Sequence, residues 1–273
     1  MTRFALPLLI ALASAASGIA PGTAHAGSGT HADVDILPGW RQDNGAHMAA
    51  LRIILDDGWK TYWRAPGEAG IPPRFDWSGS QNLGEVRLHW PVPEVIVSNG
   101  VTTLGFVREL VLPIEVVPLD PGADIVVEAG LAFGICKDVC MPLQTEVSAV
   151  LPAAATVEES RIKSALAARP DTAQEASVAS TECEFAPIAD GLRVTARIDM
   201  PEAGPGEFVV VEPEDRSIWV SQAMVSRVEG HLVAQADLVP PNAAPFDLDP
   251  ETLRITVLAQ GRAVDILGCS ERD

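Results

Sequence analysis

DIVVEAGLAF at residues 124–133 and LQTEVSAVL at residues 143–151 are two short apolar runs, and Gly134-Ile135-Cys136-Lys137-Asp138-Val139-Cys140-Met141-Pro142 stands between them. Runs of this length, rich in branched and apolar side chains, read as strands. The same pattern extends toward the N-terminus. Ala46–Leu55, Trp59–Trp63, Arg74–Trp77, Glu85–Trp90, Glu94–Ser98 and Leu110–Val117 are further candidate strands. Asp56-Asp57-Gly58, Pro66-Gly67, Pro72-Pro73, Ser98-Asn99-Gly100 and Asp120-Pro121-Gly122 punctuate them as turns. Short strands with such regular punctuation predict an antiparallel sandwich over residues 33–152.

After Leu151 the pattern changes. Thr156-Val157-Glu158-Glu159 fits a capping box. Val157, Ile162, Ala165 and Leu166 follow at helical spacing, and Arg169-Pro170 stops the helix. Residues 171–180 are small and polar and read as a linker, so residues 153–180 form a helix and connection. Strand-like runs resume in 181–273, at Leu192–Ile198, Glu207–Val211, Ile218–Ser221, Met224–Val228, His231–Leu238, Leu253–Leu258 and Ala263–Leu267. The expected fold is therefore all-β, with two sandwich domains joined by a short helix and linker.

Four cysteines are present, and their spacing separates them into unlike pairs. Along one extended strand, residues four apart lie about 13 Å from each other, whereas a disulfide needs Cα atoms about 4.4–6.8 Å apart. If Cys136 and Cys140 bridge, Lys137-Asp138-Val139 must turn, as a tight loop or a single helical turn. Asp138 suits a turn because its side chain can bond nearby backbone. A ring of about five residues constrains the unfolded chain by only about 2 kcal/mol, whereas Cys183 and Cys269 would close a ring of about 87 residues worth about 4.6 kcal/mol. The long pair reads as a structural staple and the short pair as a switch. A short ring should also be the more reducible. The bland alternative for the short pair is a passive hairpin clip.

Composition bounds the compartment and the partners. Arg3, the apolar run Phe4–Ala16 and the small-residue site Ala24-His25-Ala26 predict a secretory signal over residues 1–26, with a mature chain starting at Gly27. No later stretch has about 20 uninterrupted apolar residues, so no direct membrane insertion is expected of the mature chain. Export to an oxidising space permits stable disulfides. The net charge of −18 disfavours nucleic acid and anionic lipid as partners. Lysine occurs only at Lys60, Lys137 and Lys163, so one of three cations sits inside the cysteine loop, where it would favour a thiolate. Neighbouring Asp138 opposes that effect. Tyr62, Trp63 and Phe133 would either limit access to the pair or serve as ordinary core aromatics.

Three segments together resemble a known family. They are Gly58-Trp59-Lys60-Thr61-Tyr62-Trp63-Arg64-Ala65-Pro66-Gly67-Glu68-Ala69-Gly70, then Asn99-Gly100-Val101-Thr102-Thr103-Leu104-Gly105-Phe106 with a strand ending at Pro113-Ile114, then Phe133–Pro142 around the cysteines. In this order they are similar to the N-terminal periplasmic domain of the DsbD family, and more closely to its ScsB-like branch. The resemblance implies an immunoglobulin-like sandwich carrying a redox-active pair at Cys136 and Cys140. It implies thioredoxin-like periplasmic proteins as partners and a membrane-embedded reductase as the electron source. It also implies that Cys140 forms the mixed disulfide and Cys136 resolves it. Two departures stand out. The chain ends at Asp273 with neither a membrane domain nor a thioredoxin-like domain, so the reductase is expected to be a separate protein. Better-known members space the cysteines further apart and shield them with an aromatic loop tip, where this chain offers Thr103 and Leu104.

The reading is therefore a periplasmic thiol–disulfide interchange protein that needs no cofactor. Two other classes compete with it. Cys136, Cys140 and Met141 would suit cuprous copper, which soft sulfur ligands select, and ScsB-like relatives are associated with copper tolerance. However, His89 and His231 are distant in sequence. A binding module with two structural disulfides would share the same fold. Hydrolase chemistry finds no support, because Ser98 and the other serines lie in no nucleophile elbow.

Overall fold

A computed structural model describes residues 27–98 and 100–271 of the chain. Among them are twenty-one strands, one α-helix and one short 3-10 helix, so the all-β expectation holds. The predicted secretory signal and Asn99 lie outside the described residues.

The N-terminal half contains two sheets packed face to face. One has the order Gly27–Gly29, Ala32–Arg41, His47–Leu55, Glu109–Pro118, Leu83–Leu88. The other runs Cys140–Leu151, Ile125–Cys136, Lys60–Gly67, Val101–Val107, Glu94–Ser98, with Arg74–Asp76 also on Ile125–Cys136. All pairings in both sheets are antiparallel. Side chains alternate between faces of a strand, which sends Ile125, Val127, Ala129, Leu131, Phe133 and Ile135 inward. They meet Ala49, Leu51, Ile53, Leu112, Ile114 and Val116 from the opposite sheet.

The C-terminal half repeats the two-sheet plan around its own core. Asp171–Thr172, Arg262–Leu267, Arg254–Ala259 and Phe208–Glu212 form one sheet. Trp219–Val220, His231–Val239, Gly191–Asp199, Ser180–Ile188 and Ser270–Glu271 form the other, joined by Met224–Val228. Val194, Ala196, Ile198, Leu232, Ala234 and Leu238 face Val209, Val211, Ile255 and Val257 across it. Cys183, fully buried, bonds Cys269, and the terminal strand pairs in parallel beside it at Cys183 and Glu271. The long-range bond thus holds the strand Ser180–Ile188 beside the last described strand, Ser270–Glu271.

The sequence reading needs correction at several joints. The helix is Ser160–Ala167, and Glu159 rather than Thr156 caps it, its carboxylate accepting from the Ile162 amide at 3.0 Å. Val157 lies outside the helix and is exposed, whereas Ile162 is buried against Met48 and Ala50. Residues 171–180 do not span freely. Asp171 and Thr172 pair with Val264 and Asp265, and Ala173, Ala176 and Val178 pack on the second core. The strands Ala32–Arg41 and Val101–Val107 were not separated from their surroundings by pattern alone. The first bends at a bulge between Leu37 and Trp40, which interrupts its alternation.

Ion pairs made by Arg64 join the halves. The Arg64 guanidinium donates to both Glu212 oxygens at 3.0–3.2 Å, to Thr256 Oγ1 at 3.1 Å and to Asp265 at 3.4 Å. It also stacks over the Trp63 ring at 4.0 Å. The Arg64 and Glu212 side chains are only 9% and 3% exposed. Around them Leu258 and Ala263 close onto the first core, and Phe208 and Val210 pack against it.

Candidate functional site

The bonded pair Cys136 and Cys140 sits where the longest hairpin turns. Ile125–Cys136 and Cys140–Leu151 run in unbroken register from Ile125 opposite Leu151 to Cys136 opposite Cys140. A gap of three residues leaves the two cysteines as the last cross-strand pair, and their sulfurs are bonded. The turn is therefore the tight loop of the two forms the spacing allows. The Lys137 amide donates to the Val139 carbonyl at 3.4 Å across it.

The two sulfurs occupy unlike surroundings. Cys136 is buried, at 6% exposure, one position past Ile135, the last inward-facing side chain of its strand. Cys140 is exposed, and beside it Val139 presents an apolar side chain to solvent at 68% exposure. A thiolate arriving from another protein meets Cys140 first, because disulfide exchange requires access to the attacked sulfur.

The strand Lys60–Gly67 supports the hairpin from the other side, with Thr61 opposite Ile135 and Lys60 opposite Cys136. Thr61 donates its hydroxyl to the Gly134 carbonyl at 2.9 Å. Tyr62 is 1% exposed, yet its hydroxyl lies 3.2 Å from Cys140 Sγ. Two glycines make room for the ring. A Cβ on Gly134 would lie 2.9 Å from Tyr62 Cδ2 and Cε2, and one on Gly70 would lie 2.8 Å from Cδ1. Any side chain at either position would push the ring aside. Burial raises the Tyr62 pKa above its ordinary value, so the phenol keeps its proton.

The remaining sequence-predicted residues divide cleanly. Trp63 and Phe133 are core residues of the sandwich, buried on the inner face. Lys137 donates to the Asp57 carbonyl at 3.2 Å and lies along Gly58, which ties the hairpin tip to the Asp56-Asp57-Gly58 turn. Thr103 and Leu104 form no loop tip. They belong to the strand Val101–Val107 and are buried, Leu104 in the core. Thr103 Oγ1 accepts from Lys60 Nζ at 3.0 Å, which anchors the neighbouring hairpin to the strand beside the cysteines. The resemblance matches Asn99–Phe106 to a loop and so puts these two residues at its tip, but the turn signal Ser98-Asn99-Gly100 comes before them and the strand has begun by Val101.

Sequence pattern placed Tyr62 near the pair but not its contact with Cys140, nor the roles of Gly70 and Gly134 around its ring. Spacing carries no signal for contacts 78 residues apart. For metals, no group of three or more histidine, cysteine, aspartate or glutamate side chains is arranged as a ligand set among the described residues. His89 lies 3.3 Å from a Glu115 oxygen, and His231 lies 3.8 Å from Asp199. No described helix is long and apolar enough to cross a membrane.

Residues 33–152 match the family described as thiol:disulfide interchange protein DsbD, N-terminal. The fold resembles the crystal structure of the N-terminal periplasmic domain of ScsB from Proteus mirabilis, with a TM-score of 0.69 at 22% identity over 90% of this chain and 95% of that one. No curated protein matches the chain. The hairpin with its bonded cysteines lies inside the matched segment, and residues 33–152 form a DsbD N-terminal-like domain.

Proposed function

We propose that this chain is a periplasmic thiol–disulfide interchange protein that relays electrons through Cys136 and Cys140. The observation that carries the reading is the asymmetry of the pair: Cys140 is an exposed residue at a hairpin tip and its bonded partner Cys136 is buried. In the reducing half-cycle, a partner thiolate attacks Cys140 Sγ. A bond forms between the partner sulfur and Cys140, and the Cys136–Cys140 bond breaks with its electron pair leaving on Cys136, which then takes a proton. The partner's second thiolate attacks the first, expels Cys140 as a thiolate and departs as a disulfide. Two electrons have entered the pair. The reverse sequence passes them to an oxidised acceptor, with Cys140 attacking and Cys136 resolving.

In this reading the electron donor is a separate membrane-embedded thiol reductase and the acceptors are thioredoxin-like periplasmic proteins. Residues 1–26 direct export. The two halves serve as two immunoglobulin-like sandwich domains, residues 33–152 and 181–273, with 153–180 between them. Cys183–Cys269 is structural. Trapping tests the reading directly. Cys136→Ala should accumulate a mixed disulfide through Cys140 with a periplasmic thiol protein, and Cys140→Ala should not. Failure of both variants to capture any partner, with wild-type disulfide inert to a reduced thioredoxin-like protein, would overturn it.

A further inference from the structure

We propose that the Tyr62 hydroxyl is a catalytic hydrogen-bond donor to Cys140, holding its sulfur as a thiolate whenever the bond to Cys136 is open. The inference rests on the exchange reading above and assigns a chemical role within it. A disulfide sulfur carries no hydrogen, so at 3.2 Å the Tyr62 O–H is the donor and Cys140 Sγ the acceptor. When Cys140 is released, the same contact points at an anion, and hydrogen bonds to ionised partners are about twice as strong as neutral ones. The contact therefore favours the thiolate over the thiol.

Nothing in the surroundings lets the hydroxyl wander. The ring is buried and clasped between Gly70 and Gly134, and Thr61 fixes the Gly134 carbonyl. The donor also persists, since burial keeps the phenol protonated. In the exchange steps the hydroxyl takes no electrons and transfers no proton. It stabilises Cys140 as leaving group when a reductant regenerates the pair, and raises the thiolate fraction when Cys140 attacks an acceptor. Cys140 then gains its role from two sources, exposure and a donor placed on its sulfur.

The test needs no partner, so its failure and that of the exchange reading are distinguishable. In Cys136→Ala, Cys140 is the single reactive thiol, because fully buried Cys183 stays bonded to Cys269. Its titration is followed by thiolate absorbance and by the pH dependence of alkylation. Adding Tyr62→Phe keeps the ring between the glycines and removes only the hydroxyl. The Cys140 pKa should rise by about one unit, with roughly tenfold slower alkylation near neutral pH. An unchanged Cys140 titration in folded protein would overturn the proposal while leaving electron relay intact. A second measurement avoids substitution-induced misfolding. The chain has one tyrosine, so 3-fluorotyrosine incorporation labels Tyr62 alone. Its fluorine resonance should titrate with the Cys140 midpoint and lose that step on alkylation. A resonance indifferent to Cys140 ionisation would sink the idea.

Discussion

The two disulfides of this chain differ in almost every physical respect. Cys136–Cys140 spans 4 positions at an exposed turn, whereas Cys183–Cys269 spans 86 and ties the strand Ser180–Ile188 to the chain just before the last described strand, with Cys183 fully buried. Ring size decides how much each constrains the unfolded chain, and exposure decides whether another thiol can reach it. On the proposed reading the small ring at the exposed turn contributes little stability and opens in exchange. The large ring, with Cys183 fully buried and Cys269 half-buried, contributes more and is the less accessible. A bond that must open many times has to be one whose opening leaves the fold standing.

That contrast makes its strongest prediction in exchange assays. Cys140→Ala should reduce electron relay to background while the protein still folds, with at most about 2 kcal/mol of chain-entropy stabilisation lost. Cys183→Ala paired with Cys269→Ala should do the opposite. Urea unfolding should show a loss of about 4–5 kcal/mol, with exchange retained in whatever protein folds. A matching pair of reduction potentials for the two disulfides would remove the distinction between switch and staple.

The next effect concerns how the switch-bearing half is held against the stapled half. Glu212→Ala leaves the buried Arg64 guanidinium short of its main partner. Losing one member of a buried pair costs about 3 kcal/mol or more. Urea unfolding should show that loss, and an unchanged midpoint would mean that Asp265 and Thr256 suffice to satisfy Arg64.

A subtler difference appears in acid. In the switch-bearing half, His47 is fully buried, and desolvation is the main cause of a pKa below 6.5, opposed by its bond to the Pro38 carbonyl. The unfolded chain then binds a proton more readily than the folded one. Stability is complete above 6.5 and falls as the pH drops through the window between 6.5 and the lower folded value. In the stapled half, Glu207 and Asp237 are held below 4.5 and 3.8 by hydrogen bonds from Arg227 and Arg193, so stability there is retained until the pH falls below those values. Melting from about pH 7 to about pH 5 should weaken the first half alone. His47→Gln should flatten that dependence, and an equally steep slope in the variant would assign it to other groups.

Much of this was legible in the residues themselves. Glu94–Ser98 and Met224–Val228 match their observed strands at both ends, because each is a short run of branched residues between turn residues. The apolar run at residues 124–133 marks one strand of the central hairpin, which in the structure spans Ile125–Cys136. Helix onset was misread because two acidic residues, Glu158 and Glu159, follow Thr156, and only the packing of Ile162 selects which residue caps. Thr103 and Leu104 were misplaced because a turn signal marks that the chain bends but not how far its effect extends.

Strand pattern, cysteine spacing and the resemblance across residues 33–152 were sufficient, without coordinates, to specify an all-β chain and to separate a small ring from a large one. Those properties are local, or depend only on the number of residues between two sulfurs. Which sulfur faces solvent, the seating of the single tyrosine between Gly70 and Gly134, and the burial of Arg64 against Glu212 all arise from residues brought together across tens to hundreds of positions. Such contacts are set by how the sheets stack and register, and only the folded chain brings them within reach.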